Sequence, residues 1–516
     1  MKTWEKLRDA VCGVQGTRTG ALVSTVVGAL SKPVGYLRTL LLAWLFGASA
    51  GMDAFYLAMG ILSLIGQIVS DVAESALLPR LPRLGEERSK ALLAWAFLYF
   101  AIGVLLVSLG VLAFPRACVT FFARRFDAAR LETASAMLRL LVPWAVGAIM
   151  LSLLSVWNVY RGRYSLNITL MCLGHATLIP LIFFLSRVLG VYAVPASFSL
   201  MFAVLFLTVF RLTGDFPVRA PAVSLPEGTW RDLGWDCLLC LGIVGAGSLY
   251  QLVDRYFAAA LPPGNISAIN YAGQIYMLPL GLLAPALLIY LGRASALAAD
   301  PLEARNHLGS VMVISWLYLF PPSLALVCLA PVVVKLLLGY GAFDARAVAM
   351  TAPCMAAAAW ALPLLMWGQI LTRYARACGR LRTILVVSWG ALALNAFLDW
   401  LFVPRWGAPG LCAATGLTWG GSALVYSLLL VRPCLRGVLG GVWKGTAAFA
   451  AGALLVAAAG LSPMWTVAGE ACALAVYFLL GERLGFFEDV PGAWRPAELL
   501  RLMLRGALGL RQTKNE

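Results

Sequence analysis

The sequence has few charged residues and almost no histidine. Charged residues make up 12% of its 516 residues, against about 25% in soluble domains, so a soluble enzyme is excluded. The two histidines, His175 and His307, are too few for a histidine-ligated metal site and argue against a Ser-His-Asp triad. No nucleophile–base pair stands out, and we expect a transporter rather than an enzyme.

Signals for disulfides, redox chemistry and secretion are also weak. The eleven cysteines are scattered, mostly within apolar runs. Cys237 and Cys240 form a C-x-x-C motif in "WDCLLCLGIVG", which we interpret as small residues at a helix-packing surface rather than a metal or redox site. No secretory signal peptide is evident, because the first apolar run is long, carries two cations and lacks a small-residue cleavage site.

What the sequence does contain is long apolar runs. It is 61% hydrophobic with a mean hydropathy of +0.85, and one membrane span needs about 20 mostly apolar residues. By this criterion the sequence predicts an all-α polytopic membrane protein with about 14 transmembrane helices. The predicted spans are 21–46, 53–78, 90–114, 134–159, 165–187, 191–212, 236–261, 268–292, 308–334, 347–372, 383–403, 409–431, 443–462 and 465–482.

The distribution of Lys and Arg predicts the orientation of these spans. With a cytoplasmic amino terminus, 28 of these residues fall in cytoplasmic segments, eight in external loops and four within spans. Cationic loops face the cytoplasm, so both termini are expected there. The same distribution accounts for most of the formal charge of +16 without a nucleic-acid partner.

A weak internal repeat suggests the domain organisation. Residues 38–58 and 253–272 share one plan, namely a long helix, a short glycine-containing turn, and a second helix that opens with small residues. The second copy lies six spans after the first, so the two point the same way, which suggests two six-helix lobes with a substrate path between them. The predicted divisions are an amino-terminal lobe at 1–225, a carboxy-terminal lobe at 226–433, and two extra helices with a cytoplasmic tail at 434–516.

The end of the chain predicts an amphipathic helix. In "PAELLRLMLRGALGLRQTKNE" the apolar residues fall near one side of a helix, with arginines beside them. We interpret this segment as an interfacial helix that lies on lipids of the inner leaflet. A frayed terminus is the alternative.

Three of the charged residues in the first two predicted spans are candidates for a functional role. Lys32 and Arg38 interrupt the apolar stretch "ALSKPVGYLRTLLLAWLFG", where a cation costs roughly 3 to 17 kcal/mol. They are about 120° apart on a helix, so both can border a wide cavity without stacking on one stripe. The alternatives are snorkelling to the outer surface or pairing with Asp53, which in "GMDAF" is itself placed to cap its own helix.

A second group of polar residues predicts a cation site. Asn395 and Asp399 are four residues apart in "LNAFLDWLF" and share a helix face, while Asp254 and Thr415 lie in two other predicted spans. If the three helices meet, carboxylate, amide and hydroxyl oxygens form an all-oxygen shell suited to a hard cation, and Na⁺ is the candidate. The alternative is hydrogen-bonded packing in which Asp254 pairs with Arg255 or another neighbour.

These motifs resemble those of a known family. "LSKPVGYLRTLLLAWLFGASAGMDAFYLA" resembles the opening of the MurJ/MviN family of lipid II flippases, and "VDRYFAAALPPGNISAINYA" with "LPLGLLAPALL" resembles its second-lobe signature. The resemblance covers the whole chain, including a late "GAPGLCAAT". It implies an alternating-access carrier of the multidrug/oligosaccharidyl-lipid/polysaccharide exporter superfamily, in which the two extra helices form a groove for the lipid tail.

The resemblance also implies an activity and site residues. The expected activity is flipping of lipid II, a peptidoglycan precursor carried on undecaprenyl pyrophosphate, to the outer leaflet of the bacterial cytoplasmic membrane, driven by Na⁺ or the membrane potential. The candidate residues of the substrate cavity are Arg38, Lys32 (an arginine in the family), Asp53, Arg255 and Gln274. The residues that match sodium-binding positions of the family are Asp254, Asn395, Asp399 and Thr415.

Cofactors and partners follow from the same resemblance. Apart from Na⁺, no cofactor is expected. The expected partners are lipid II or a related polyprenyl-pyrophosphate glycan and membrane lipids, with no nucleic acid. We expect a monomer, with proteins of cell-wall synthesis as candidate partners.

The sequence departs from the family pattern at three places. Thr39 replaces the aspartate that usually follows the cavity arginine, "GILSLIGQIV" lacks the arginine of the usual P-N-x-x-R in span 2, and Gln274 replaces an arginine in span 8. Two arginines expected to hold the pyrophosphate are therefore missing, and Arg139 and Arg255 are the candidates to compensate. The alternatives are a flippase for another undecaprenyl-pyrophosphate-linked glycan, a drug/cation antiporter of the same superfamily, and a non-transporting scaffold.

Overall fold

The chain is almost entirely helical. A computed structural model describes residues 13–219, 221–283, 287, 301–432, 435–458, 463–488, 490–491 and 494–498. Seventeen helices are delimited in this part of the chain, which contains no strand, so the predicted all-α class is confirmed. The helices are α1 (Thr17–Phe46), α2 (Ala50–Leu77), α3 (Leu81–Leu84), α4 (Glu86–Ala113), α5 (Pro115–Phe122), α6 (Ala128–Tyr160), α7 (Leu166–Leu189), α8 (Ala193–Thr213), α9 (Thr229–Ala258), α10 (Asn265–Tyr276), α11 (Pro301–Cys328), α12 (Ala330–Leu338), α13 (Ala345–Ala359), α14 (Leu362–Ala377), α15 (Leu381–Leu430), α16 (Leu435–Ala458) and α17 (Pro463–Leu480).

Many of these helices can cross a membrane. In the described ranges, nine helical stretches are long and apolar enough, and a tenth results if α13 and α14, which meet at 49°, form one span. Two of the nine, Leu166–Thr213 and Leu381–Leu430, have 48 and 50 residues, more than twice what one span needs. A multi-pass membrane protein is therefore confirmed, whereas the number of fourteen spans stays a prediction. The predicted interfacial helix lies almost wholly outside the described residues.

Glycines divide the two longest stretches near the predicted span borders. Gly407 has φ 61° and ψ −136° inside α15, and such a positive φ is readily adopted only by glycine. Gly190, with φ 54°, ends α7 and begins the 3₁₀ turn that precedes α8. The sequence predicted borders at both places, between 403 and 409 and between 187 and 191.

The turns of the internal repeat have the predicted plan. Gly47, with φ 58°, joins α1 to α2, and Gly264, with φ 96°, precedes α10. A Cβ atom at Gly264 would lie 2.6 Å from the backbone oxygen of Ala48. Glycine at position 264 therefore allows the close approach of the two repeat copies at their turns.

The described chain packs as two units. The first comprises 1–271, 338–350 and 395–408, and the second comprises 272–337, 351–394 and 409–516. The predicted lobes were defined by the repeat, whereas the units are defined by packing. The lobe boundaries at 225/226 and 433/434 stay a prediction.

In the first unit, α2 packs against α6 and α9, α6 packs against α8, and α1 packs against α7. The packing face of α2 contains small buried residues, among them Ala54, Ala58 and Gly60. Small residues let membrane helices approach closely where no hydrophobic force drives their association. On the same helix, the Phe55 ring packs against the Phe198 ring of α8 at a centroid distance of 5.8 Å.

In the second unit, α11 packs against α14 and α16, and α16 packs against α17. The Tyr477 hydroxyl of α17 donates to the carbonyl of Leu317 over 3.2 Å. An apolar cavity of about 460 Å³ lies between α16 and α17, lined in part by Phe449 and Val476. The two helices that the sequence placed after the second lobe thus form an apolar recess.

Candidate functional site

Arg38 lies among aromatic side chains in the first unit. One of its terminal nitrogens is 3.3 Å from Nδ1 of His175 on α7, and its guanidinium carbon is 5.3 Å from the ring centroid of Phe198 on α8. Its Nε atom is buried and has no hydrogen-bond partner in the described part of the chain. A guanidinium has five N–H donors, so Arg38 is held in place and keeps unused donor capacity.

No carboxylate in the described part of the chain neutralises Arg38. Among the residues that the structure describes, its polar contact is the imidazole of His175 and its other charge contact is an aromatic ring. The alternative of a pair with Asp53 is wrong, because the Asp53 oxygens are bonded elsewhere. Lys32, two turns earlier on α1, is exposed.

Asp53 binds the first turn of α10. Its Oδ1 atom accepts from the backbone N–H and from the hydroxyl of Ser267, each over 2.7 Å, and its Oδ2 atom accepts from the N–H of Gly264 over 2.6 Å. The carboxylate is 1% exposed. No acidic residue of α10 occupies its own first turn, where a negative charge is favourable because of the helix dipole, and Asp53 supplies that charge from α2.

The expectation that Asp53 caps its own helix is therefore wrong. The N-cap of α2 is Ser49, whose hydroxyl accepts from the N–H of Met52 over 3.3 Å. Ser49 precedes the first helical residue, as a cap must, whereas Asp53 already lies inside the helix. Its assignment to the substrate cavity stays a prediction.

Three of the four predicted cation ligands meet in the first unit. The Asn395 amide donates to Oδ1 of Asp254 over 2.6 Å and to Oδ2 of Asp399 over 3.0 Å. Asn395 and Asp399 are fully buried. The fourth residue, Thr415, belongs to the second unit, where its hydroxyl donates to the carbonyl of Leu411 over 3.1 Å.

This carboxylate pair fits a hard cation in its chemistry. Oδ1 of Asp399 is buried without a hydrogen-bond partner among the described residues, and the group offers oxygen ligands. The Asn395 NH₂ group lies between the two carboxylates and reduces their repulsion. A cation there would take over that role, with the amide turned to present its oxygen. No group of three or more His, Cys, Asp or Glu that could hold a metal is found in the residues described.

Arg255 extends from α9 to a notch on α2. A Cβ atom at Gly60 would lie 2.2 Å from the guanidinium carbon of Arg255, so the absence of a side chain at position 60 makes room for the arginine. The NH1 atom of Arg255 is buried without a hydrogen bond in the described ranges. Gly60 opens "GILSLIGQIV", the stretch of α2 in which the usual arginine is missing.

The remaining cavity candidates are more exposed. Arg139 is exposed on α6, and Gln274 is exposed on α10 in the second unit. Arg255, rather than Arg139, therefore places a positive charge beside α2, the helix in which the usual arginine is missing.

Sequence reasoning missed the partners of these residues. His175, Ser267 and Gly60 had no assigned role, since each acts on a residue far away in the chain. For Ser267 a signal existed, because the α10 start has no acidic residue of its own and a buried carboxylate elsewhere had to find donors. For His175 and Gly60 no local pattern distinguishes them from packing residues.

Sequence comparison identifies the family. A family model described as lipid II flippase MurJ matches residues 42–480. The chain belongs to the MurJ family. Similar curated members include the probable lipid II flippase MurJ of Thermotoga maritima, 24% identical over 78% of this chain and 83% of that protein. Another is the lipid II flippase MurJ of Burkholderia cenocepacia, 27% identical over 78% of this chain and 80% of that protein.

Solved structures show the same fold. A lipid II flippase MurJ in an inward closed conformation matches with a TM-score of 0.79 at 16% identity, over 91% of this chain and 99% of that chain. A multidrug resistance MATE transporter of the MOP superfamily, in an inward-facing conformation, matches with a TM-score of 0.64 at 16% identity, over 81% and 98% of the two chains. The predicted MurJ family membership and exporter-superfamily fold are confirmed.

Proposed function

We propose that this protein flips lipid II from the inner to the outer leaflet of the bacterial cytoplasmic membrane by alternating access. Membership in the MurJ family supports the substrate class. The observation that carries the proposal is Arg38, an arginine within a membrane span that no described carboxylate neutralises and whose Nε has no partner. A charge in such a position marks a ligand path or a polar cavity.

The role of Arg38 follows from the chemistry of pyrophosphate. A charged headgroup cannot enter hydrocarbon unaided, because it would lose its hydration without replacement. A guanidinium presents a planar fork of donors that binds two phosphate oxygens at once. His175 and Phe198 hold the Arg38 side chain in one place, which reduces the entropy lost when the ligand binds.

Arg255 compensates in part for the missing family arginines. Its guanidinium rests on Gly60 of α2, and its NH1 atom keeps donor capacity among the described residues. The cation is supplied by α9 instead of by α2 itself. Arg255 thus provides a second phosphate contact beside the stretch "GILSLIGQIV".

The contact of Asp53 with α10 acts as a latch on one side of the carrier. It joins the turns of the two repeat copies. The positive-inside rule assigns both turns to the external side. Opening to the outside then requires that three hydrogen bonds to Asp53 break, and substrate binding drives that change only if it favours the open state.

Two further elements serve transport. Na⁺ at Asp254, Asn395 and Asp399, or the membrane potential acting on the cavity cations, biases the two states. The polyprenyl tail lies in the apolar cavity of about 460 Å³ between α16 and α17, while the polar headgroup follows the arginines.

Complementation tests the proposal. We expect the chain to restore growth to a bacterium depleted of its lipid II flippase, and depletion of this protein in its own host to cause lipid II to accumulate in the inner leaflet. Failure of the well-expressed protein to restore growth, together with an unchanged lipid II distribution on depletion, would contradict it.

A sibling carrier for another undecaprenyl-pyrophosphate-linked glycan is the second candidate. The observation that favours it is the absence of arginine from "GILSLIGQIV" and from position 274. A strain that lacks the flippase for a different lipid-linked glycan separates the two candidates, because only one of the two strains should be restored.

A further inference from the structure

A cavity of about 360 Å³, lined by both polar and apolar side chains, lies within the second unit. Its walls are α14, from Leu365 to Arg376, and the two ends of α15. These ends lie at the same side of the unit, beside the loop 378–380 and the residue after Leu430. The two arginines of its lining, Arg373 and Arg376, lie in the last turns of α14, which ends at Ala377, and follow the predicted span 347–372.

One wall of the cavity is a polar stripe on α14. Gln369, Thr372, Arg373 and Arg376 all line it, and their spacing of i, i+3, i+4 and i+7 places them on one helix face. The other side of the same turns carries buried apolar residues such as Leu371. A polar stripe of this kind in a membrane helix is costly unless water or a polar ligand satisfies it.

The charge in the cavity has one sign. Arg373 and Arg376 line it, and none of the described residues that line it is a carboxylate. Neither guanidinium makes an ion pair with any residue that the structure describes. Two arginines three residues apart repel each other mildly, so their common placement favours an anionic ligand over none.

The opposite wall is amphipathic. Trp419 and Tyr426 on α15 line it together with the hydroxyls of Ser388 and Ser422. Trp and Tyr are the side chains that prefer the boundary between lipid and water. A ligand in this cavity meets donors and aromatic faces side by side, as a lipid headgroup and the first carbons of its chains would require.

We propose that this cavity binds the phosphate group of a lipid headgroup in the inner leaflet. Phosphate matches the two guanidinium forks better than a carboxylate, because it offers more oxygens. Basic pockets between spanning helices on the cytoplasmic side are suited to anionic lipid headgroups. The loop "RACGRLR" after α14 is rich in arginine, and the positive-inside rule assigns it to the cytoplasm.

The inference concerns equilibrium binding to the purified protein, so its failure and the failure of the proposed transport are distinguishable. Two lipids carry the chemistry, namely bulk anionic phospholipid and an undecaprenyl-pyrophosphate lipid. The test separates them by offering each alone. Phosphatidylglycerol is compared with monogalactosyldiacylglycerol, which lacks phosphate, and undecaprenyl pyrophosphate is offered in a background of the galactolipid.

The variant that tests the cavity is R373Q/R376Q, measured on the full-length purified chain by native mass spectrometry of bound lipid. Its matched control is R380Q/R382Q, which removes the same charge slightly further along the chain at two arginines that do not line the cavity. A second variant, Ser388→Phe, keeps both arginines and fills the space. Size-exclusion profiles confirm that each variant is folded.

We expect R373Q/R376Q to weaken binding of at least one phosphate lipid by about tenfold or more, since a hydrogen bond to a charged group is worth about that factor. Ser388→Phe should weaken it as well, and R380Q/R382Q should change it by less than about threefold. Whichever lipid shows this pattern is the ligand. Equal losses in R373Q/R376Q and R380Q/R382Q, or unchanged binding of both lipids, would overturn the inference.

Discussion

Asp53 on α2 caps the start of α10 through Ser267, whose backbone N–H and hydroxyl both donate to the same carboxylate oxygen over 2.7 Å. The second oxygen accepts from Gly264 over 2.6 Å. This contact links the two copies of the internal repeat at their turns. Under the proposed alternating access, this contact belongs to one state of the cycle, so its strength sets the population of that state.

The first prediction concerns this latch. Asp53→Asn removes the charge and offers one acceptor in place of two, so the N–H groups of Gly264 and Ser267 lose charge-assisted bonds worth roughly 1.5–3 kcal/mol each. We expect amide hydrogen exchange in 262–271 to become faster by at least about tenfold. The matched control is Ser49→Ala, which removes the N-cap of α2 and leaves the latch intact. Slow exchange retained in Asp53→Asn would show that the latch does not hold this turn.

The second prediction concerns His175, whose Nδ1 atom accepts from the Arg38 guanidinium over 3.3 Å. His175→Gln keeps a hydrogen-bonding group beside the guanidinium, whereas His175→Leu removes it and leaves the arginine free to move. In complementation assays we expect His175→Gln to retain activity within about threefold and His175→Leu to lose about tenfold, the worth of one hydrogen bond to a charge. Equal activities of the two variants would mean that the imidazole does not position Arg38.

The third prediction concerns Gly60, whose missing side chain makes room for Arg255. Gly60→Ala places a methyl group 2.2 Å from the guanidinium carbon, so Arg255 must move away from α2. We expect transport to fall by about tenfold or more in Gly60→Ala. The double variant that combines Gly60→Ala with Arg255→Gln should lose no more transport than either single variant. Gly103→Ala on α4 is the control, because nothing lies within 4 Å of its Cβ. Additive losses would refute the link between the two residues.

The fourth prediction concerns the carboxylate pair. If Asp254, Asn395 and Asp399 hold Na⁺, replacing KCl in the buffer by NaCl should raise the unfolding temperature of the purified protein by a few degrees. Such a rise is expected for a ligand that binds only the folded state. Asp399→Asn should abolish the shift. Glu470→Gln, which alters a buried carboxylate of α17 outside this group, should keep it. An unfolding temperature that is equal in the two salts, or a sodium-dependent rise that survives in Asp399→Asn, would contradict a sodium site.

Much of the fold could be predicted from the sequence because the bilayer requires long apolar helices. The borders near Gly190 and Gly407 were predictable as well, since positive φ angles favour glycine. The number of spans was less predictable, because α13 and α14 meet at a 49° bend inside what hydropathy predicts as one span, 347–372.

The candidate site could be predicted only where its residues are local. The i, i+4 spacing of Asn395 and Asp399 predicted a shared face, and the two do contact each other. The contact between Arg38 and His175 joins residues 137 apart in the chain, and no periodicity reports such a pair. Asp53 shows the limit of such local prediction most clearly. Its position near the start of α2 predicted that it caps this helix, but the N-cap in the structure is Ser49.

The most direct test of the account is exposure of lipid II in cells whose only candidate flippase is this protein. An added enzyme that cleaves lipid II and cannot cross the membrane reports the fraction in the outer leaflet. We predict cleavage with the wild-type chain and a drop of at least about tenfold with Arg38→Ala at equal expression, since a buried ion contact with phosphate is lost. Equal cleavage with the two chains, or none with the wild type, would contradict the claim that Arg38 carries an anionic lipid headgroup across the membrane.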